Sequence, residues 1–158
     1  MKPYNTISTM LALGVLAISA AAPAAAFDVE EKLQIQGEKL EKYAAEKGLV
    51  LTKVMSKDRS LGEGGADTVK LDDLRSIYNY VAIGVCDSDC DGVGLTVRRT
   101  VGIDDPEILT EDVSGTATPV VEFFVAPFSP HEMTISMMSC STFICGYGVD
   151  IYRTEKIE

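Results

Sequence analysis

Apolar and polar residues alternate through most of the second half of this chain. Thr68, Val69, Lys70 and Leu71 alternate, as do Leu95, Val97 and Val101 with Thr96, Arg98 and Thr100. Met133, Ile135 and Met137 alternate with Thr134 and Ser136, and Tyr147, Val149 and Ile151 with Gly148, Asp150 and Tyr152. Two further runs, residues 77–85 and 119–125, are rich in Val, Ile, Phe and Tyr. Period two is the repeat of a strand with one buried face, and short strands at regular spacing predict a β-sandwich or barrel. Met133 and Met137 read as filler for its core. One stretch has another period. Val29, Leu33, Leu40, Tyr43 and Ala44 recur at helical spacing and predict an amphipathic helix over residues 28–47. Asp28 and Glu31 form a capping-box pattern at its start, and Gly48 is a stop signal. Gly37 weakens its middle by about 1 kcal/mol relative to Ala. The apolar stripe is expected to cover a face or edge of the same domain. A strand over residues 49–55 follows, then a Gly-rich loop over residues 56–65; the tail, residues 153–158, is expected to fray.

The start of the chain changes where this domain works. Lys2, an apolar run from Thr9 to Ile18 and the small residues Ala24, Ala25 and Ala26 have the order of a secretory signal peptide over residues 1–26, with cleavage before Phe27. The expected organisation is this leader, then helix, first strand and Gly-rich loop over residues 27–65, then a β-sandwich over residues 66–158. The Ala-rich cleavage region points to a bacterial export route and a periplasmic or secreted product. The formal net charge is −10, and Lys2 is the leader's only charge, so the mature chain is one unit more acidic. Such a surface repels phosphate backbones and anionic lipid, so the expected partners are neither nucleic acid nor membrane after signal cleavage.

All four cysteines lie beyond the leader: Cys86, Cys90, Cys140 and Cys145. An even number in an exported chain argues for two disulfides. Three pairings are possible, and the grouping along the chain favours Cys86–Cys90 with Cys140–Cys145. Each closes a small loop and constrains the unfolded chain by only about 2 kcal/mol, against roughly 4 for a long-range bridge. The same spacings would suit a four-thiolate zinc site in a reducing compartment.

The first cysteine pair frames an acidic loop. Asp87, Asp89 and Asp91 occupy the first, third and fifth places of a calcium loop, with Gly92 sixth and the Val93 carbonyl seventh. The twelfth place, which an EF-hand fills with glutamate, is Arg98, and no helices flank the loop. The pattern therefore describes an open calcium loop, to which Asp104, Asp105, Glu111 and Asp112 could add ligands. The competing reading is a tight turn whose aspartates bond its own backbone. Catalysis has little to draw on. His131 is the sole histidine and stands in an expected surface turn, Ser129-Pro130-His131-Glu132, with no nucleophile elbow nearby. Asp72-Asp73 and Asp104-Asp105 are adjacent pairs, which on a strand point opposite ways. The Gly62-Glu63-Gly64-Gly65 run lacks the Lys-Ser/Thr of a phosphate loop. Tyr78, Tyr80, Tyr147 and Tyr152 either line a sugar-binding face or pack the core or its edges.

The order of features over residues 66–152 resembles the bacterial pre-peptidase C-terminal-like domain. A strand from Tyr80 leads into Val85-Cys86-Asp87-Ser88-Asp89-Cys90. A strand near Leu95, an acidic stretch and Pro119-Val120-Val121 follow, and a methionine-rich strand leads to Cys140, Cys145 and Tyr147-Gly148-Val149. The resemblance implies a mostly β fold, a jelly-roll-like antiparallel β-sandwich to which this chain adds an N-terminal helix. It also implies a module without catalytic activity that accompanies exported enzymes or stands alone. Relatives often continue from the second cysteine into Asp-Leu-Asp-Leu, where this chain has Gly92-Val93-Gly94-Leu95, two carboxylates fewer. The expected function is a non-catalytic, disulfide-stabilised accessory or binding module of the cell envelope with a protein or carbohydrate ligand and no cofactor. The alternative is a calcium-dependent ligand or carbohydrate-binding domain using Asp87, Asp89 and Asp91.

Overall fold

The structure, a computed structural model, describes residues 24–100 and 106–156, so most of the expected leader lies outside the described residues, as do Val101, Asp104 and Asp105. It opens with α1 (Ala24–Glu46). Alanine is the strongest helix former, and the alanines ahead of Phe27 carry the helix back past Asp28. Asp28 therefore does not cap; it lies within the helix and reaches across to the sandwich. Gly48, at φ 71°, ends the helix as expected: the Gly48 amide donates to the Ala45 carbonyl at 3.0 Å.

Eight strands follow: β1 (Leu49–Leu61), β2 (Ala66–Lys70), β3 (Asn79–Cys86), β4 (Cys90–Thr100), β5 (Pro106–Asp112), β6 (Val120–Phe124), β7 (His131–Cys140) and β8 (Cys145–Lys156). They form two four-stranded antiparallel sheets, ordered β1-β8-β3-β6 and β2-β7-β4-β5. This is the connectivity of a jelly roll. The fold is thus the predicted β-sandwich with a leading helix. The boundary expected at residues 65 and 66 falls on the turn that carries the chain from one sheet to the other.

The side chains explain the order. Tyr80, Ala82 and Cys86 of β3 face a core shared with Leu95 and Val97 of β4, Met133, Ile135 and Met137 of β7, and Tyr147, Val149 and Ile151 of β8. Val81, Ile83 and Val85 point the other way, into a second cluster with Val29 and Leu33 of α1 and Tyr152. A strand covered on both faces needs apolar residues at successive positions, which is why β3 reads as a continuous run. On β8 the helix-facing positions are small or polar. A Cβ at Gly148 would stand 2.6 Å from Leu33 Cδ1, and a Cβ at Gly37 only 2.5 Å from the Tyr152 hydroxyl oxygen. Those two glycines let helix and sheet touch. Beneath the helix, the fully buried Asp150 accepts hydrogen bonds from Lys53 Nζ (2.7 Å), Ser56 Oγ (2.5 Å) and the Tyr152 hydroxyl (3.2 Å).

Several expectations are corrected. β1 continues through residues 56–61, because β8 offers it a partner from Leu49↔Lys156 to Leu61↔Cys145. For the same reason residues 153–156 do not fray: Arg153 pairs with Thr52 on one side and Tyr80 on the other, while residues 157 and 158 lie outside the described residues. β5 was hidden in an acidic stretch, since an edge strand facing water needs few apolar residues. Ile77 precedes β3 and is exposed.

Candidate functional site

The two cysteine pairs lie at one end of the sandwich. Cys86–Cys90 closes the β3–β4 turn with its Cα atoms 5.7 Å apart, and Cys140–Cys145 closes the β7–β8 turn at 6.0 Å. The grouping along the chain predicted both. The turns are tied to each other as well: the Asp89 carbonyl accepts from the Ser141 amide (2.7 Å) and the Ser141 hydroxyl (2.8 Å). The helix joins in. The Ser88 amide donates to Asp28 Oδ2 at 2.7 Å, and Lys32 Nζ donates to the Cys86 carbonyl at 3.1 Å. Helix, first turn and second turn thus make one braced pole.

The three aspartates of the first turn have different fates. Asp87 is buried; its Oδ1 accepts from the Asp89 amide (3.2 Å) and its Oδ2 from the Gly146 amide. Both oxygens therefore serve backbone groups of the two turns. Asp89 and Asp91 are exposed. Among the described residues no group of three or more His, Cys, Asp or Glu side chains is arranged to hold a metal ion. Asp112 serves the backbone too: it accepts from the Ser114 hydroxyl (2.7 Å) and the Val120 amide (3.1 Å), and its carboxyl is held below the usual carboxylate range chiefly by the Ser114 bond. Glu111 pairs with Thr96 across the β4–β5 ladder.

The second turn carries residues that the sequence reading passed over. Phe143 is 98 % exposed and Ile144 63 %. The Thr142 hydroxyl donates to the Ile144 carbonyl at 2.8 Å, closing the loop internally. A large aromatic and a large aliphatic residue therefore stand in water on a loop that is covalently closed and bonded to its neighbour. Their signal was present as Phe-Ile between two cysteines, where a solvated turn calls for polar residues.

The opposite pole is built by hydrogen bonds instead of sulfur. The Tyr80 hydroxyl accepts from the Arg75 amide (2.8 Å) and donates to the Arg75 carbonyl (2.9 Å), the arrangement of a tyrosine corner. His131 is buried at the start of β7, not displayed on a surface turn. Its Nε2 accepts from the Ala126 amide at 3.2 Å and its Nδ1 lies 2.7 Å from the Ser129 carbonyl, which makes Nδ1 the protonated nitrogen. The ring clamps the loop before β7, where the exposed Phe128 adopts φ 62°. Between this loop and the turn after β2 lies an open cavity of about 580 Å3.

None of Tyr78, Tyr80, Tyr147 and Tyr152 forms a free aromatic platform. The Tyr147 hydroxyl donates to Asp67 Oδ2 at 2.5 Å, Tyr152 serves Asp150, and Tyr78 lies under the Arg153 guanidinium, 4.6 Å from ring centre to Cζ. No protein-family model and no curated protein matches this chain. The two disulfides suit a chain that matures in an oxidising, extracellular environment. No described helix is long and apolar enough to cross a membrane.

Proposed function

We propose that this chain is a non-catalytic accessory module of the bacterial cell envelope that binds a protein partner through its disulfide pole. The observation that carries the reading is the exposure of Phe143 and Ile144 on a loop locked by Cys140–Cys145. Aromatic anchors supply most of the energy of a protein interface, and a loop already held in place loses little entropy on binding. The acidic surface favours a partner with basic groups around its apolar pocket. The non-catalytic part rests on His131, whose ring nitrogens are both engaged with backbone groups. The resemblance to pre-peptidase C-terminal-like modules points the same way, as does the signal-peptide pattern of residues 1–26.

The test is site-specific photo-crosslinking in the exporting cell. A photoreactive phenylalanine at position 143 is expected to give a discrete higher-mass adduct, lost when Ile144→Ser is added. The same probe at Lys42, on the exposed face of α1, serves as control. Equal labelling from both positions, or none from position 143, would remove the proposal.

A further inference from the structure

We propose that the four cysteines form one thiol–disulfide exchange site, in which Cys90 and Cys140 make a third, cross-strand bridge once a dithiol reductant opens either resting one. The inference goes beyond the binding role above and stands without it. Its basis is register. Cys90 lies directly opposite Cys140 in the β4–β7 ladder, just before a bulge. Directly opposed residues of an antiparallel pair project to the same face, with Cα atoms about 4.5–5.5 Å apart. A disulfide needs roughly 4.4–6.8 Å, so this pair can bridge with the backbone where it already is.

Burial adds a second argument. In each resting bridge one sulfur-bearing residue is wholly enclosed, Cys86 and Cys145 at 0 %, and the other is slightly open, Cys90 at 6 % and Cys140 at 8 %. The two residues that keep any exposure are the two that oppose each other. The Thr142 hydroxyl oxygen lies 3.8 Å from Cys140 Sγ and 3.9 Å from Cys145 Sγ, so a hydroxyl stands beside either sulfur when it leaves as thiolate.

A small dithiol gives two electrons and two protons to Cys86–Cys90 and departs as its own cyclic disulfide, leaving two thiols. The Cys90 thiolate then attacks Cys140 Sγ. The Cys90–Cys140 bond forms as Cys140–Cys145 breaks, and the electron pair leaves on Cys145, which takes up the proton that Cys90 gave up. Opening Cys140–Cys145 first leads to the same product by attack of Cys140 on Cys90. The product closes a far longer loop than either resting bridge, so it constrains the unfolded chain more and holds the folded domain against unfolding better than one resting bridge does. It also opens the loop that carries Phe143.

Two measurements test this. Wild-type protein is treated with rising dithiothreitol, trapped with an alkylating agent in acid and mapped by mass spectrometry. The dominant one-bridge species is expected to carry labels on Cys86 and Cys145 and a Cys90–Cys140 crosslink. In the second, the Cys86→Ser/Cys145→Ser variant is expected to oxidise to the Cys90–Cys140 form and to melt higher than after reduction. A dominant species labelled on both cysteines of one resting pair shows independent bridges and overturns the proposal, and this holds even if the double variant does not fold. A folded double variant that keeps two free thiols overturns it equally.

Discussion

Asp67 shows how much one side chain can hold in this domain. It sits on β2, in one sheet, and receives the Tyr147 hydroxyl and Lys57 Nζ (2.9 Å) from β8 and β1 of the other. The bond from Tyr147, with that from Lys57, lowers its carboxyl from 3.8 to about 2, while burial pushes the Tyr147 hydroxyl well up. A carboxyl depressed in the folded state contributes stability that is present above 3.8 and is lost as pH falls towards 2. Wild type should therefore lose melting temperature between about pH 4 and 2 more steeply than Asp67→Asn. Parallel curves would mean that the contact between sheets contributes nothing. At this scale the sequence was only half legible. The cysteine pairing could be read because neighbours along the chain are neighbours in space. The partners of Asp67, Asp87, Asp150 and His131 could not, because each is set by strands far apart in the chain. Asp87 had the spacing of an ion ligand, yet its oxygens meet the amides of Asp89 and Gly146.

At the scale of elements, the link that matters most is α1 on β8. Leu33 and Val29 enter the space left by Gly148. Gly148→Val should overpack this contact and cost about 1–3 kcal/mol, measured as a fall in melting temperature. Adding Leu33→Ala should recover part of the loss, because the two changes share one space. Strict additivity would place the helix elsewhere. Element types were largely legible: the stretch of helical period forms α1 and the alternating runs form β4, β7 and β8, although only β7 alternates in burial and β4 and β8 are covered at successive positions. Element ends were not. The alanines before Phe27 extend α1 backwards, and β8 extends β1 forwards past Met55, because a partner strand overrides the local preference of Ser56 to Ser60.

The whole molecule has two unlike ends joined by a common core. One is closed by sulfur and displays Phe143 and Ile144; the other is closed by Tyr80 and His131 around a cavity. The sandwich was legible from period two, but its sheet order was not, since alternation says which face is buried and nothing about which strand lies beside it. The order carries a prediction. Removing residues 153–158 takes the β8 partners away from Leu49 to Thr52 of β1 and from Asn79 and Tyr80 of β3, and should cost at least about 3 kcal/mol in lost ladder bonds. Removing only residues 157 and 158 is the control. An unchanged melting temperature in the longer deletion would show that the tail frays after all.

The place of β8 also sets a timetable. It lies in the middle of its sheet, between β1 and β3, yet it follows them both in the chain. A polypeptide emerging N-terminus first makes α1 before most of the surface it rests on, and makes β1 before β8, its strand partner among the described residues. Until β8 arrives, β3 and β6 are a bare ribbon and the long-range contacts that close a jelly roll cannot form. Such a chain stays open and protease-sensitive for nearly the whole of its emergence. It should then become resistant to proteases in one late step, when residues 145–156 have emerged and paired.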